Sequence, residues 1–236
     1  MVQMTHFKTP EDCTKIRVLI VDDQPVVRER LSQIISGGSE LELCGAVDNP
    51  SRAFELVEAK QPHLVVTGLA LKGAHGLDFI KDLHLRYPQL RVLVFSMYDE
   101  SLYAERAVRA GANGFVTKRE RTEEVIRAIH VVLRGGIYLS EQVTGEALRH
   151  FFCRRPRVIG AELEGLSDRE LEIFEFIGNG RSTGEIARAL HLSVKTIETY
   201  RSRIKIKLGL TTGAQLVARA RSSLRETTSS STFELN

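Results

Sequence analysis

The chain has 236 residues, 42% hydrophobic and 27% charged, with a formal net charge of +3, a length for two modest domains and a charge too mild to name a partner by itself. Its three cysteines, Cys13, Cys44 and Cys153, fit no zinc spacing and are expected as reduced thiols. No apolar stretch reaches membrane-crossing length and the polar N-terminus lacks a signal-peptide core, so a cytoplasmic chain with no membrane partner is expected.

From Arg17 to Gly135 short apolar runs alternate with helical patterns. The runs are Val18–Val21, Leu41–Val47, His63–Thr67, Val92–Ser96 and Gly114–Thr117. The helical segments between them are Pro25–Ser36, Pro50–Lys60, Leu77–Arg86, Leu102–Ala110 and Thr122–Leu133. This alternation predicts an α/β fold, a doubly wound five-stranded parallel (βα)5 sheet with helices on both faces. Pro25 and Pro50 suit first-turn positions, and Gly37-Gly38, Gly111 and Gly135-Gly136 suit helix ends.

Glu141–Phe152 reads as a further helix, and the basic stretch that follows, broken by Pro156, as linker. From Leu166 the pattern is wholly helical, with four short helices near Asp168–Gly178, Ser182–Leu190, Val194–Leu208 and Gly213–Leu224. Ser167 and Glu170 have the spacing of a capping box, and Ser193 suits an N-cap. The second and third of these helices form a helix-turn-helix whose expected apolar seam is Ile186, Ala187, Leu190, Val194 and Ile197. The serine- and threonine-rich tail from Thr227 to Asn236 is expected to be disordered.

In an open parallel sheet, functional residues gather beyond the carboxyl ends of the strands. Here those ends supply Asp22-Asp23, Thr67-Gly68, Ser96 and Thr117-Lys118. Two carboxylates, a hydroxyl and a lysine are the equipment for holding a divalent cation and a phosphoryl group on a carboxylate nucleophile. The nucleophile's own position is Gly68, which has no side chain. Lys118 therefore loses its nearest expected anion and should lean toward Asp22 or Asp23. No glycine loop, nucleophile elbow or histidine spacing supports an enzyme.

These strand ends resemble the receiver domain of two-component response regulators. The resemblance implies that Asp22 and Asp23 position Mg2+, that Ser96 and Lys118 hold the phosphoryl group, and that Phe115 is the aromatic switch. It also implies that Gly68 stands where the phospho-accepting aspartate belongs, so Mg2+ binding should be weakened. With nothing to hold, Ser96 and Phe115 are expected in the inactive arrangement, the ring turned outward. Either the native protein carries aspartate here and this chain is a variant, or it is a receiver that works without phosphorylation. Retention of both acids and Lys118 leans slightly to the variant.

Within Lys195–Lys207 five positive side chains, Lys195, Arg201, Arg203, Lys205 and Lys207, face one acid, Glu198. On the second helix of a helix-turn-helix this is an electrostatic footprint for phosphates. Leu166-Ser-Asp-Arg-Glu170, Gly180-Arg-Ser-Thr-Gly-Glu-Ile-Ala187, Leu192–Ile204 and Lys207-Leu-Gly209 resemble the LuxR-type (NarL/FixJ) DNA-binding domain, with Thr183-Gly184 and Tyr200 departing from the commonest pattern. The resemblance implies that Glu198, Thr199 and Ser202 face base edges. Lys195, Thr196, Tyr200, Arg201 and Arg203 would mostly hold the DNA backbone, and the last helix would dimerise. The expected organisation is a receiver at 16–136, a linker at 137–164 and a DNA-binding domain at 165–225. The expected function is a dimeric, DNA-binding transcription regulator with a cognate sensor histidine kinase in its native system. The alternative is a phosphorylation-independent interaction module.

Overall fold

The computed structural model describes residues 15–72, 74–145, 147, 163 and 165–230, with 225–230 described by backbone alone. The chain divides into two compact units, Met1–Thr144 and Gly145–Asn236.

In the first unit the alternation of apolar runs and helices becomes β1 (Ile16–Val21), α1 (Pro25–Ser36), β2 (Leu41–Val47), α2 (Pro50–Lys60) and β3 (Leu64–Thr67). There follow a two-stranded hairpin, β4 (Ala70–Leu71) and β5 (Ala74–His75), then α3 (Gly76–Arg86), β6 (Arg91–Ser96), α4 (Glu100–Ala110), β7 (Gly114–Thr117) and α5 (Thr122–Leu133). Among the described residues β2-β1-β3-β6-β7 form one parallel sheet, in that order. The hairpin had no signal in the sequence pattern, because two-residue strands are too short to show a period.

Side chains on a strand point alternately to the two faces. Val18 and Ile20 of β1, Leu64 and Val66 of β3, Leu93 and Phe95 of β6 and Val116 of β7 form one core with Leu31 and Ile35 of α1 and Val125, Ile129 and Val132 of α5. The helices α2, α3 and α4 contribute no residue to that core. They bury Ala53, Val57, Leu77, Ile80, Leu83 and Ala104 elsewhere, and Phe54 of α2 meets Phe79 of α3 edge to face at 5.4 Å. Asn49 and Asp99 cap α2 and α4 with their side chains. Gly111 ends α4 with φ 109°, a left-handed conformation that glycine adopts without steric cost.

The chain leaving α5 returns to the sheet edge. Tyr138 forms a parallel bridge with Gly114, its carbonyl accepting from Phe115 N at 2.9 Å. Ser140 N donates to Glu100 Oε1 at 2.8 Å, tying the start of a further helix, α6 (141–145), to the first turn of α4. The rest of the helix expected from Glu141 to Phe152 lies outside the described residues, apart from a helical residue at 147.

The second unit contains α7 (Asp168–Gly178), α8 (Thr183–Ala189), α9 (Val194–Lys207) and α10 (Gly213–Ser230). Capping boxes at Ser167/Glu170 and Ser182/Glu185 open α7 and α8, and Ser193 caps α9. The second box is spelled Ser182-Thr-Gly-Glu185, the spacing that the first box also has. Helix α10 extends to Ser230, so Thr227–Ser230 are helical rather than the disordered start of a tail; residues 231–236 lie outside the described residues.

Candidate functional site

Strand register brings the first site together. Val21 pairs with Thr67, Thr67 with Val94, and Ser96 with Thr117. Gly68 N donates to Val21 O at 2.9 Å and Lys118 N to Ser96 O at 2.8 Å. Asp22, Gly68, Ser96 and Lys118 therefore share one edge of the sheet.

At that edge Lys118 Nζ lies 2.7 Å from Asp22 Oδ2, the two side chains being 8% and 1% exposed. Asp22 Oδ1 accepts from Gln24 N at 3.0 Å, and its backbone carbonyl accepts from Arg28 Nη1 at 2.6 Å. Arg30 donates to the carbonyls of Lys118 and Glu120, fixing the loop after β7. Asp23, next along, is half-buried. Lys118 thus pairs with Asp22, one of the two expected anions.

A Cβ added at Gly68 would stand 2.6 Å from Asp22 Oδ2 and 3.6 Å from the Ala70 carbonyl. The Asp22 carboxylate already fills the approach to position 68. Gly76 is fixed by the same corner. A Cβ there would meet the Leu69 and Gly68 backbones at 2.4–2.8 Å, so the hairpin can fold against the strand end only with glycine at 76.

Phe115 is 1% exposed, which corrects the expectation of an outward ring. Alternation on β7 sends Val116 into the α1/α5 core and Phe115 to the opposite face, where it is enclosed. Burying a phenylalanine is favourable by about 1.5–3 kcal/mol, enough to hold it inward with no phosphoryl group present. Ser96 Oγ accepts from Tyr98 N at 3.2 Å, so the hydroxyl is engaged by its own loop. Beyond it Tyr98 stacks on Tyr103, with centroids 4.9 Å apart.

Among the described residues no group of three or more His, Cys, Asp or Glu side chains could hold a metal ion. Cys44 is reduced, and burial pushes its thiol up to about 11, leaving little thiolate.

The second site is the outer surface of α9. Ile197 and Ile204, one heptad apart, are buried, as are Ile186, Ala187 and Leu190 of α8. Val194, expected in this seam, is 53% exposed. It occupies the first position of α9, and the seam is filled by Ile197 and Ile204 instead. Lys195, Glu198, Thr199, Ser202 and Arg203 are exposed, and Thr196, Tyr200 and Arg201 half-buried. The Thr196 hydroxyl lies 2.8 Å from Ser193 Oγ within the N-cap, and the Arg203 guanidinium sits 5.9 Å from the Tyr200 ring centroid.

Lys207, counted from the sequence in the basic footprint, is turned to another use. Its ammonium donates to Glu170 Oε2 at 2.6 Å and to the Gly165 carbonyl at 3.1 Å. Burial acts to raise the Glu170 carboxyl, but Lys207 and the Ser167 N–H and hydroxyl outweigh it and hold it below the ordinary carboxylate range. Arg169 pairs with the buried Glu172 and donates to the Leu190 carbonyl at the end of α8. These contacts brace α7 against α8 and α9.

Comparison with known proteins identifies both units. The response regulator receiver domain model matches residues 18–130, and the model for bacterial regulatory proteins of the luxR family matches residues 164–220. A putative transcriptional regulator of Pseudomonas aeruginosa is 35% identical over 205 residues, covering 87% of this chain and 97% of its own length. The response regulator GacA of the same bacterium is 32% identical over 202 residues, covering 85% of this chain and 93% of its own. The RcsB response regulator of Salmonella typhimurium shares the fold, with a TM-score of 0.64 at 21% identity over 89% of this chain and 99% of that one. The chain belongs to the response-regulator family, as a receiver followed by a LuxR-type DNA-binding domain, and is a DNA-binding transcription regulator of two-component type.

Proposed function

We propose that this chain, as it stands, regulates transcription without an aspartyl phosphate. The receiver (16–136) acts through the linker (137–164) on the DNA-binding domain (165–225), and the chain is a cytoplasmic regulator rather than an enzyme. The observation that carries this reading is the Lys118–Asp22 ion pair lying against Gly68. Aspartyl phosphorylation needs a carboxylate oxygen as nucleophile. Gly68, at the phospho-acceptor position, has none, and Lys118 balances the charge of Asp22 directly. The inward Phe115 fits a receiver whose resting state is set by packing alone.

Magnesium does not suit this pocket. Receiver domains generally bind it at acidic residues, and Mg2+ demands near-ideal octahedral oxygen ligation. Here Asp22 Oδ2 is taken by Lys118 and Oδ1 by Gln24 N. With both Asp22 oxygens engaged, the pocket lacks the carboxylate set that such ligation requires. A sensor histidine kinase belongs with the form that carries aspartate at 68.

On the DNA side Glu198, Thr199 and Ser202 face base edges, and Lys195, Thr196, Tyr200, Arg201 and Arg203 hold phosphates. A homodimer, joined through α10, places two such helices on paired half-sites. Titration of the untreated full chain against a duplex selected from a random pool, at several salt concentrations, tests this reading. Tight, sequence-preferring binding with log affinity falling linearly in log salt is expected. Absence of DNA binding would favour an interaction module instead.

A further inference from the structure

Glu198 is 57% exposed, yet its carboxylate is held from two sides. Thr183 Oγ1 donates to Oε1 at 3.0 Å, and Arg201 Nε lies 3.8 Å from Oε2. Neither partner is loose. Thr183 is the first residue of α8, directly after the Ser182 capping box. Arg201 is only 18% exposed, its guanidinium lying toward Gly213 at the start of α10. An unanchored glutamate at this exposure would sample several rotamers, each aiming its oxygens differently. Here Thr183 couples the start of α8 to a side chain on the outer face of α9.

An ionised carboxylate has about four lone-pair positions. The one used by Thr183 leaves the others able to accept from outside. In the major groove a group that only accepts hydrogen bonds pairs with an exocyclic amine, and the carboxylate pairing is with cytosine N4. Gly184, beside Thr183, meets nothing within 4 Å of an added Cβ, so the surface there is open to an approaching duplex.

We propose that Thr183 is a specificity-determining positioning residue, its hydroxyl orienting Glu198 so that the carboxylate selects cytosine at one position of each half-site. This rests on the reading that Glu198 faces base edges. Thr183 itself touches no base, and it acts only through Glu198.

The test uses the full chain, with sequences selected from a random duplex pool and affinities then measured for the four bases at each position. Wild type should prefer cytosine at one position. Thr183→Val, which keeps the shape and removes the donor, should lower that preference by about tenfold, the order of one good base contact. Its other positions and its salt slope should not change. Thr183→Ala should show the same loss, and Thr183→Ser should retain the preference. Glu198→Gln should move the same position toward adenine, the amide's partner. In a Glu198→Ala background, Thr183→Val should have no further effect. Wild-type preference in Thr183→Val and Thr183→Ala, with a changed preference in Glu198→Gln, would overturn the positioning role alone. An unchanged preference in Glu198→Gln would overturn the base-facing reading of Glu198 and the role of Thr183 with it.

Discussion

Lys118 and Asp22 face each other across the carboxyl edge of the sheet, Nζ to Oδ2 at 2.7 Å, from strands separated by β3 and β6. Both side chains are nearly inaccessible, so each is the other's main compensation for lost water. Removing one member of such a pair leaves a buried charge and costs about 3–5 kcal/mol. Lys118→Ala should lower the stability of the receiver by about that amount in urea unfolding. Adding Asp22→Asn should recover much of the loss. A Lys118→Ala variant as stable as wild type would mean that the pair is not what closes this edge.

The same pair governs the response to magnesium. A ligand that binds only the folded state stabilises it by about 2.7 kcal/mol at a hundredfold excess over Kd. Wild type, with Lys118 on Asp22, should show no rise in Tm with millimolar Mg2+. Gly68→Asp puts a Cβ 2.6 Å from Asp22 Oδ2, so the Asp22 carboxylate must shift, and a second carboxylate beside it should make the variant less stable without Mg2+. Its Tm should then climb as Mg2+ is added. Equal Mg2+ responses in both proteins would contradict the assignment of position 68.

Lysines on α9 should divide by use. Lys195 is exposed, whereas Lys207 is bound to Glu170 and the Gly165 carbonyl. Lys195→Ala should weaken binding to all sequences alike and flatten the salt slope by about one. Lys207→Ala should lower the stability of the DNA-binding domain and leave the slope near its wild-type value. A slope change equal to that of Lys195→Ala would return Lys207 to the phosphate-contacting set.

Glu170 gives the acid limb of stability. Its folded-state carboxyl is held below its ordinary value. The corresponding stability is therefore complete above the unfolded-state carboxylate range, about 4.3, and is lost as pH falls through the lower folded value. Fragment 164–225 should melt at progressively lower temperature below that range, and Glu170→Gln should flatten this part of the pH profile. A variant with the wild-type acid limb would assign the limb to other carboxylates.

Much of this was readable from the residues because buried parallel strands are continuous apolar runs. Val18–Val21 and Val92–Ser96 announce both the sheet and the edge where Asp22 and Ser96 must lie. Lys118 could be expected to lean on an acid from charge alone, though not to choose Asp22, which depends on strand register. The outward ring expected at Phe115 follows from the missing phosphoryl group alone, whereas burial of a large ring decides its position. Spacing puts Val194 in the seam, but spacing does not reveal that the first turn of α9 leaves it in solvent. Lys207 reads as one more cation in a run until α7 brings Glu170, 37 residues away, against it. The Thr183–Glu198 contact likewise joins residues on different helices, and no local period encodes it.

On the proposed function the receiver works without a phosphoryl group because position 68 offers no oxygen. Its most direct test treats the full chain and its Gly68→Asp variant with phosphoramidate and Mg2+, then records intact mass and affinity for the selected duplex on the same samples. The chain should keep its unmodified mass and bind DNA with the same affinity before and after treatment, while Gly68→Asp should gain one phosphoryl group. A phosphorylated wild-type chain, or a Gly68→Asp variant that remains inert, would contradict it.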